Sequence, residues 1–431
     1  MMRVIALAAI SVLMAAPLAA QSAFGCTDLD GRHAIPSVEG TDGMFYRVHP
    51  DLHMFQPFSD QSITDLARLS DALSDMGTTL IYVPLPTKAL IEPESLPVRA
   101  TDLGFDVSIA TTVFDDIIHR LVEADVLAVN LRGPLRATGD EGPSVFLTDY
   151  RLNTDGGRRA AAAIGAVIAA TPGVAGLARG TFTSRAAGTI TLPSTMRDIL
   201  QRHCTLTIPE AVTASATTSR TGGTLPRTEG LLGGAGAAQI ALVGTEDVAS
   251  FSSNLAGFLS EATGLDALEY TVYGGGSFAA ISAYLTSRSF QEARPAYLVW
   301  INPVQNNLAQ WGDQPLGELV AAAAGTCRIP LPAGPGLEPQ TLVVDLLALD
   351  PGRSYTLYID ADTSPATVAR FDILSPSGLV HTRHIQRNPD QTPTGRFYLP
   401  LTGLWPDGAQ SVTVTLDAVF GVNARAAACP E

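Results

Sequence analysis

The feature that most constrains this chain is a change of hydrophobic period near residue 330. Before it, helical and strand patterns alternate. "SITDLARLSDALSDMG" puts Ile63, Leu66, Leu69 and Leu73 on one helical face and stops at Gly77, and the apolar run "TTLIYVPLPT" follows at once as a strand. The exchange repeats through "VFDDIIHRLVEADV", "LAVNL", "RRAAAAIGAVIAA", "AQIALVG", "SSNLAGFLSEATG", "ALEYTVYGGG", "SFAAISAYLTS" and "AYLVWINP". Short continuous apolar strands between helices predict a mostly parallel sheet with helices on both faces, an α/β domain over 26–325. Within it, 211–238 is rich in Ala, Thr and Gly without a sustained period, and a flexible insertion is expected there. A Pro and Gly hinge, "RIPLPAGPGLEP", leads into period two: "TLVVDLLAL", "SYTLYIDA", "ARFDILSP", "GRFYLPL" and "SVTVTLDAV", divided by "DPGR", "SPSG" and "PDG" turns. An all-β sandwich is expected over 328–431.

Residues 1–20 read as a secretory signal peptide: Arg3, an apolar run from Val4 to Ala16, Pro17, and small residues to a cut after Ala20. That run is too short to span a bilayer comfortably, and no membrane span is expected after cleavage. The other long apolar run, Ala160 to Ala170, is broken by Gly165 and reads as a buried helix. Export to the periplasm is the expected destination. Cys26, Cys204, Cys327 and Cys429 make an even set for an oxidising compartment. Of three possible pairings, Cys26 with Cys204 and Cys327 with Cys429 is favoured, because each bond then closes one compositional block. No spacing is a C-x-x-C, so neither a zinc site nor a redox motif is supported, and no metal or other cofactor is expected. A net charge of -15, with Lys88 the single lysine, argues against a nucleic-acid partner.

In open α/β sheets ligands bind outside the carboxyl ends of the strands. Three such ends are expected to converge: "YVPLPTK" (82–88), "VFLTDYR" (145–151) and "ALVGTE" (241–246). Together with "GTDGMFY" (40–46), "VPLPTKAL" (83–90), "FLTDYRLNTDGGRRAA" (146–161), "LVGTEDVASFSSNLAGFL" (242–259) and the segment 274–303, this ordering resembles the SGNH-hydrolase-like domain of alginate O-acetylation proteins of the AlgX and AlgJ type. The AlgX-like resemblance implies two disulfides, in agreement with the favoured pairing, and a carbohydrate-binding C-terminal sandwich. It implies an acidic, alginate-like exopolysaccharide as partner, and export-machinery proteins as further partners.

Residue by residue, the resemblance is mixed. The family has an Asp-x-His pair and a Ser after the Gly-Thr turn. Here Asp149 keeps the Asp position, Arg151 takes the His position and Glu246 the Ser position. Acyl transfer needs a hydroxyl that attacks and an imidazole that removes its proton. A guanidinium stays protonated and cannot serve as that base. Asp149, Arg151 and Glu246 are therefore expected to form an ionic network in a non-catalytic pocket. The alternative is an acetyltransferase or acetylesterase using another hydroxyl, among Thr245, Ser250, Ser252 and Ser253. A third reading, a glycoside hydrolase built on Asp149 and Glu246, suffers from Arg151, which would hold both carboxylates ionised. His49, His53, His119 and His203 read as ordinary histidines, with His49 or His53 the least unlikely substitute base. "YGGGSF" (273–278) lacks the ending of a phosphate loop, and Tyr273 is a candidate contact for the ligand. In the sandwich, "HTRHIQR" (381–387) puts Arg383 and Arg387 on one strand face beside Ile385. With Arg396 nearby, they form a candidate uronate patch, and Trp405 or Tyr398 could stack on a sugar ring.

Overall fold

The computed structural model of the chain describes residues 22–136, 142–223, 238–245, 252–401 and 408–430. The leader at 1–20, Glu246, Ser250, Trp405 and residues 224–237 of the expected insertion lie outside the described residues.

The apolar strands of the first domain form one parallel sheet of five strands, in the order Leu127–Ala128, Thr79–Leu85, Tyr297–Pro303, Ile240–Gly244, Ala267–Thr271. Ile240–Gly244 and Tyr297–Pro303 are buried along their whole length, as unbroken apolar runs require when helices cover both faces. The chain passes from the Leu127 side of the sheet to the Ile240 side across Thr79–Leu85, and that reversal opens the crevice at their carboxyl ends. Asp60–Ser74 starts at Ser59, whose side chain accepts from the Ser62 N–H, and buries Ile63, Leu66, Leu69 and Leu73.

Two stretches depart from expectation. Val145–Arg151 is not the end of a sheet strand: it is a loop closed by a single antiparallel bridge between Val145 and Leu152. Part of the expected flexible insertion is ordered, since Val212–Gly222 pairs antiparallel with Thr181–Thr191 in a two-stranded ribbon. Its threonines suit a pleated backbone, but the ribbon is mostly exposed, so no apolar alternation marked it in the sequence.

Beyond residue 328 two antiparallel sheets face each other. One runs Ile329–Leu331, Arg425–Pro430, Tyr355–Asp360, Arg396–Pro400; the other runs Ala333–Pro335, Thr341–Asp345, Ser411–Leu416, Val368–Leu374, Val380–Gln386. Inward residues such as Val344, Leu357, Phe371, Phe397 and Val414 make the sandwich core. The outer face of the first sheet rests on the helix Gln314–Ala324, and Tyr358 and Tyr398 join the core of the α/β domain. Gly317 permits this approach, because a Cβ there would lie 2.8 Å from Pro400 Cγ. Disulfides join Cys26 to Cys204 and Cys327 to Cys429, the expected pairs. Among the described residues no helix is long and apolar enough to cross a membrane.

Candidate functional site

Lys88 organises the crevice. It opens a short buried helix, Lys88–Ile91, directly after the Thr79–Leu85 strand. Its ammonium donates to the carbonyls of Phe146 at 2.7 Å, Leu147 at 2.9 Å and Asp149 at 2.9 Å. The loop that carries Asp149 is thus gathered around one cation. Burial pushes Lys88 down to about 7, while the charges of Asp51 and Asp149 pull the other way. On the far side of the loop the Arg47 guanidinium lies 4.0 Å from the centre of the Tyr150 ring and is itself held by the buried Asp51.

That loop presents Asp149 and Arg151 to each other. Arg151 Nε donates to Asp149 Oδ1 and Nη2 to Asp149 Oδ2, both at 2.7 Å, a bidentate pair in which the carboxylate is 1% exposed and the guanidinium 12%. A third bond runs from Arg151 Nη2 to the Pro193 carbonyl at 2.7 Å. Burial raises the Asp149 carboxyl, but Arg151 and the Ser194 hydroxyl outweigh it and hold it below the usual carboxylate range. Burial likewise pulls Arg151 down, and Asp149 more than offsets it, so the guanidinium sits above its ordinary value. The half-exposed Tyr273, beyond the Ala267–Thr271 strand, interacts electrostatically with Arg151 and so stands at the same crevice. The position opposite, Glu246, lies outside the described residues, and the pair is defined here by Asp149 and Arg151 alone.

The helix Thr154–Ala170 begins immediately after this pair, with Asn153 Oδ1 accepting from the Gly156 N–H at 2.9 Å. Gly156 and Gly157 let its first turn press on two backbones: a Cβ at 156 would lie 2.1 Å from the Ser144 carbonyl oxygen, and one at 157 would lie 2.1 Å from that of Ser253. The alternative hydroxyls are deep in this packing, with Thr245 3%, Ser252 1% and Ser253 0% exposed, which leaves a bulky sugar ester no approach.

The remaining candidates are dispersed. His49 and His53 face each other with ring centres 6.4 Å apart, His119 pairs with Glu123, and His203 stacks on His33; none bonds to Asp149 or Arg151 among the described residues. The sandwich patch is taken apart. Ile385 turns into the core and Arg383 is exposed, but the strand ends at Gln386 and Arg387 turns away to donate to Glu318 Oε2 at 2.7 Å, a buried pair. Arg396 donates to the Thr286 carbonyl at 3.2 Å and lies near Asp360, so it too serves the domain boundary. Tyr398 is 4% exposed and packs on Tyr358, which removes it as a stacking platform. Lys88, Ser194 and the Arg47–Asp51 clamp escaped the sequence reading. The lone lysine among Leu85, Ala89, Leu90 and Ile91 was the available signal, since an isolated cation in an apolar setting must find buried acceptors.

A parallel sheet with a crevice at its switch point, an aspartate loop before a glycine-bearing helix, and an appended antiparallel sandwich define an SGNH-hydrolase-like protein with a C-terminal β domain. The family described as "SGNH hydrolase-like domain, acetyltransferase AlgX" matches residues 38–303, and the chain belongs to that family. The alginate biosynthesis protein AlgX of Pseudomonas aeruginosa is 28% identical over 273 residues, 63% of this chain and 56% of the relative. That of Azotobacter vinelandii is 26% identical over 267 residues, 61% of this chain and 53% of the relative. The matched stretch therefore spans little more than half the length of these curated relatives. The solved structure of Pseudomonas aeruginosa AlgX superposes with a TM-score of 0.77 at 23% identity, covering 92% of this chain and 94% of the other. The O-acetyltransferase domain of Pseudomonas putida AlgJ superposes with a TM-score of 0.53 at 20% identity, covering 66% of this chain and 98% of that domain. At those identities the likeness is one of fold.

Proposed function

We propose that this chain is an exopolysaccharide-binding member of the AlgX family that does not transfer acetyl groups, acting in the periplasm beside export-machinery proteins. The observation that carries this reading is the bidentate Asp149–Arg151 pair. The aspartate that would orient a base in acyl transfer is saturated by a guanidinium that stays charged. With Glu246 at the position of the family serine, acyl transfer would have to pass through a mixed anhydride on a carboxylate, a poor acyl store in water. Two disulfides support an oxidising compartment. The polymer is taken to be of the alginate type from the names of the relatives. The guanidinium patch expected for its uronates lends no support, because Arg387 and Arg396 are engaged inside the molecule.

The test is turnover of a chromogenic acetate by the natural protein, beside the Glu246→Ser and Arg151→His double variant, with intact-mass measurement after incubation with an acetyl donor. The expected result is no turnover above buffer and no acetyl adduct on the natural chain. A covalent acetyl adduct on it would overturn the proposal in favour of an enzyme using another nucleophile.

A further inference from the structure

A cleft of about 1270 Å³ lies between the two domains, walled by the Asp60–Ser74 helix, the Gly274–Phe278 loop, residues 305–314 and the end of the Val380–Gln386 strand. Three carboxylates, of Asp65, Asp313 and Glu318, and three guanidiniums, of Arg68, Arg383 and Arg387, line it. Glu318 is paired with Arg387, Asp65 lies 3.3 Å from Arg68, and Arg383 Nη1 donates to the Thr382 carbonyl at 3.0 Å. In a chain of net charge -15 this cleft is balanced, and it offers no excess of positive charge to select a carboxylate.

Its other lining groups are neutral. Gln305, Asn306, Asn307 and Gln310 contribute amides, and Gln305 Oε1 is buried without a hydrogen-bond partner among the described residues. A buried amide oxygen accepts and never donates, so what completes it must bring an N–H or O–H; an ionised carboxylate brings neither. Beside it Trp311 is 69% exposed, an indole face presented at the cleft wall rather than packed in the core. An aromatic face flanked by neutral amides is suited to the C–H face of a pyranose ring together with its hydroxyls.

We propose that this interdomain cleft binds an uncharged, hydroxyl-rich pyranose segment, seated on Trp311 and donating a hydroxyl to Gln305. The proposal rests on the reading that the chain binds an exopolysaccharide and names the sugar chemistry one part of it recognises.

The test is titration calorimetry on the full chain with mannohexaose, cellohexaose and a hexamannuronate. The expected result is that a neutral hexaose binds, with an affinity little changed between about 50 and about 300 mM salt. Trp311→Ala should weaken it by about tenfold while the melting temperature holds, because the indole is exposed, and Trp311→Phe should recover part of the loss. Binding of the uronate alone, falling steeply with salt, would overturn the inference and leave the exopolysaccharide reading standing. An affinity unchanged by Trp311→Ala would also overturn the inference. Binding of none of the three would count against both.

Discussion

Asp149 has little freedom to titrate near neutrality, because both its oxygens accept from one guanidinium and the loop that bears it is drawn in by Lys88. Three carbonyls converge on a single buried ammonium, so losing it strands three acceptors away from water. Lys88→Met should destabilise the protein by about 3–5 kcal/mol. Hydrogen exchange should show the added opening concentrated at residues 146–151, and uniform protection there would refute the tethering role. Glu269 supplies a pH-dependent contrast on the Ala267–Thr271 strand. Burial pushes its carboxyl up to about 7, only weakly opposed by Thr271. A carboxyl raised in the folded state binds more protons there than in the unfolded chain, so its contribution to stability is full at acid pH. That contribution is lost as the pH rises from the ordinary carboxylate range to about 7. Glu269→Gln should therefore leave stability unchanged near pH 4 and raise it by about 2 kcal/mol above pH 7. Denaturant titrations at the two values decide it; an equal effect at both would remove the linkage.

At the scale of elements, what buries a continuous apolar face was legible in the sequence, and what is held by backbone polar groups was not. The strands Ile240–Gly244 and Tyr297–Pro303 and the helix Asp60–Ser74 announced themselves because the core demands their periodicity. Val145–Arg151 reads as a strand end by composition, yet its place is set by Lys88 reaching across 58 residues to the Phe146 carbonyl, a contact no local pattern encodes. The Val212–Gly222 ribbon was missed for the opposite reason: both its faces are largely wet, so nothing alternates. The paired substitution at 149 and 151 was legible, since a two-residue spacing suffices to bring those side chains together, whereas the solvent-facing patch at 383–387 was not. Alternation holds only inside a strand, and the strand ends at Gln386. The glycines of "TDGGRRAA" are legible as close-approach positions only once the neighbour is known. Gly157→Ala would force its Cβ against the Ser253 carbonyl, at the junction with the Leu255–Thr263 helix. It should cost about 1–3 kcal/mol, more than Gly165→Ala, whose Cβ would meet only the Ala262 Cβ at 3.2 Å. Comparing the two melting temperatures checks the argument, and equal losses would show that the Gly157 contact relaxes freely.

For the whole molecule, the consequential pair is Arg387 with Glu318, because it ties the sandwich to the α/β domain in a place where water hardly reaches. Glu318 is 2% exposed and also accepts from the Tyr398 N–H at 3.2 Å; Arg387 adds a bond to the Arg396 carbonyl at 3.3 Å. The surrounding boundary is apolar and tyrosine-rich, with Tyr358 and Tyr398 inside the larger core, so the two domains are expected to unfold as one unit. Removing one charge leaves the other buried without its counter-ion, which is costlier than losing both. Arg387→Ala should accordingly destabilise by about 3–5 kcal/mol, whereas Arg383→Ala, on an exposed side chain four residues away, should change stability by about 0.5 kcal/mol or less. Replacing both partners, Arg387→Met with Glu318→Leu, should restore much of the loss, since an apolar pair leaves no uncompensated charge. Calorimetric scans of the four proteins separate the alternatives. A single transition in the natural chain that splits into two in Arg387→Ala would show that this pair couples the domains. A single transition retained at unchanged temperature would show that the tyrosine boundary holds them without it.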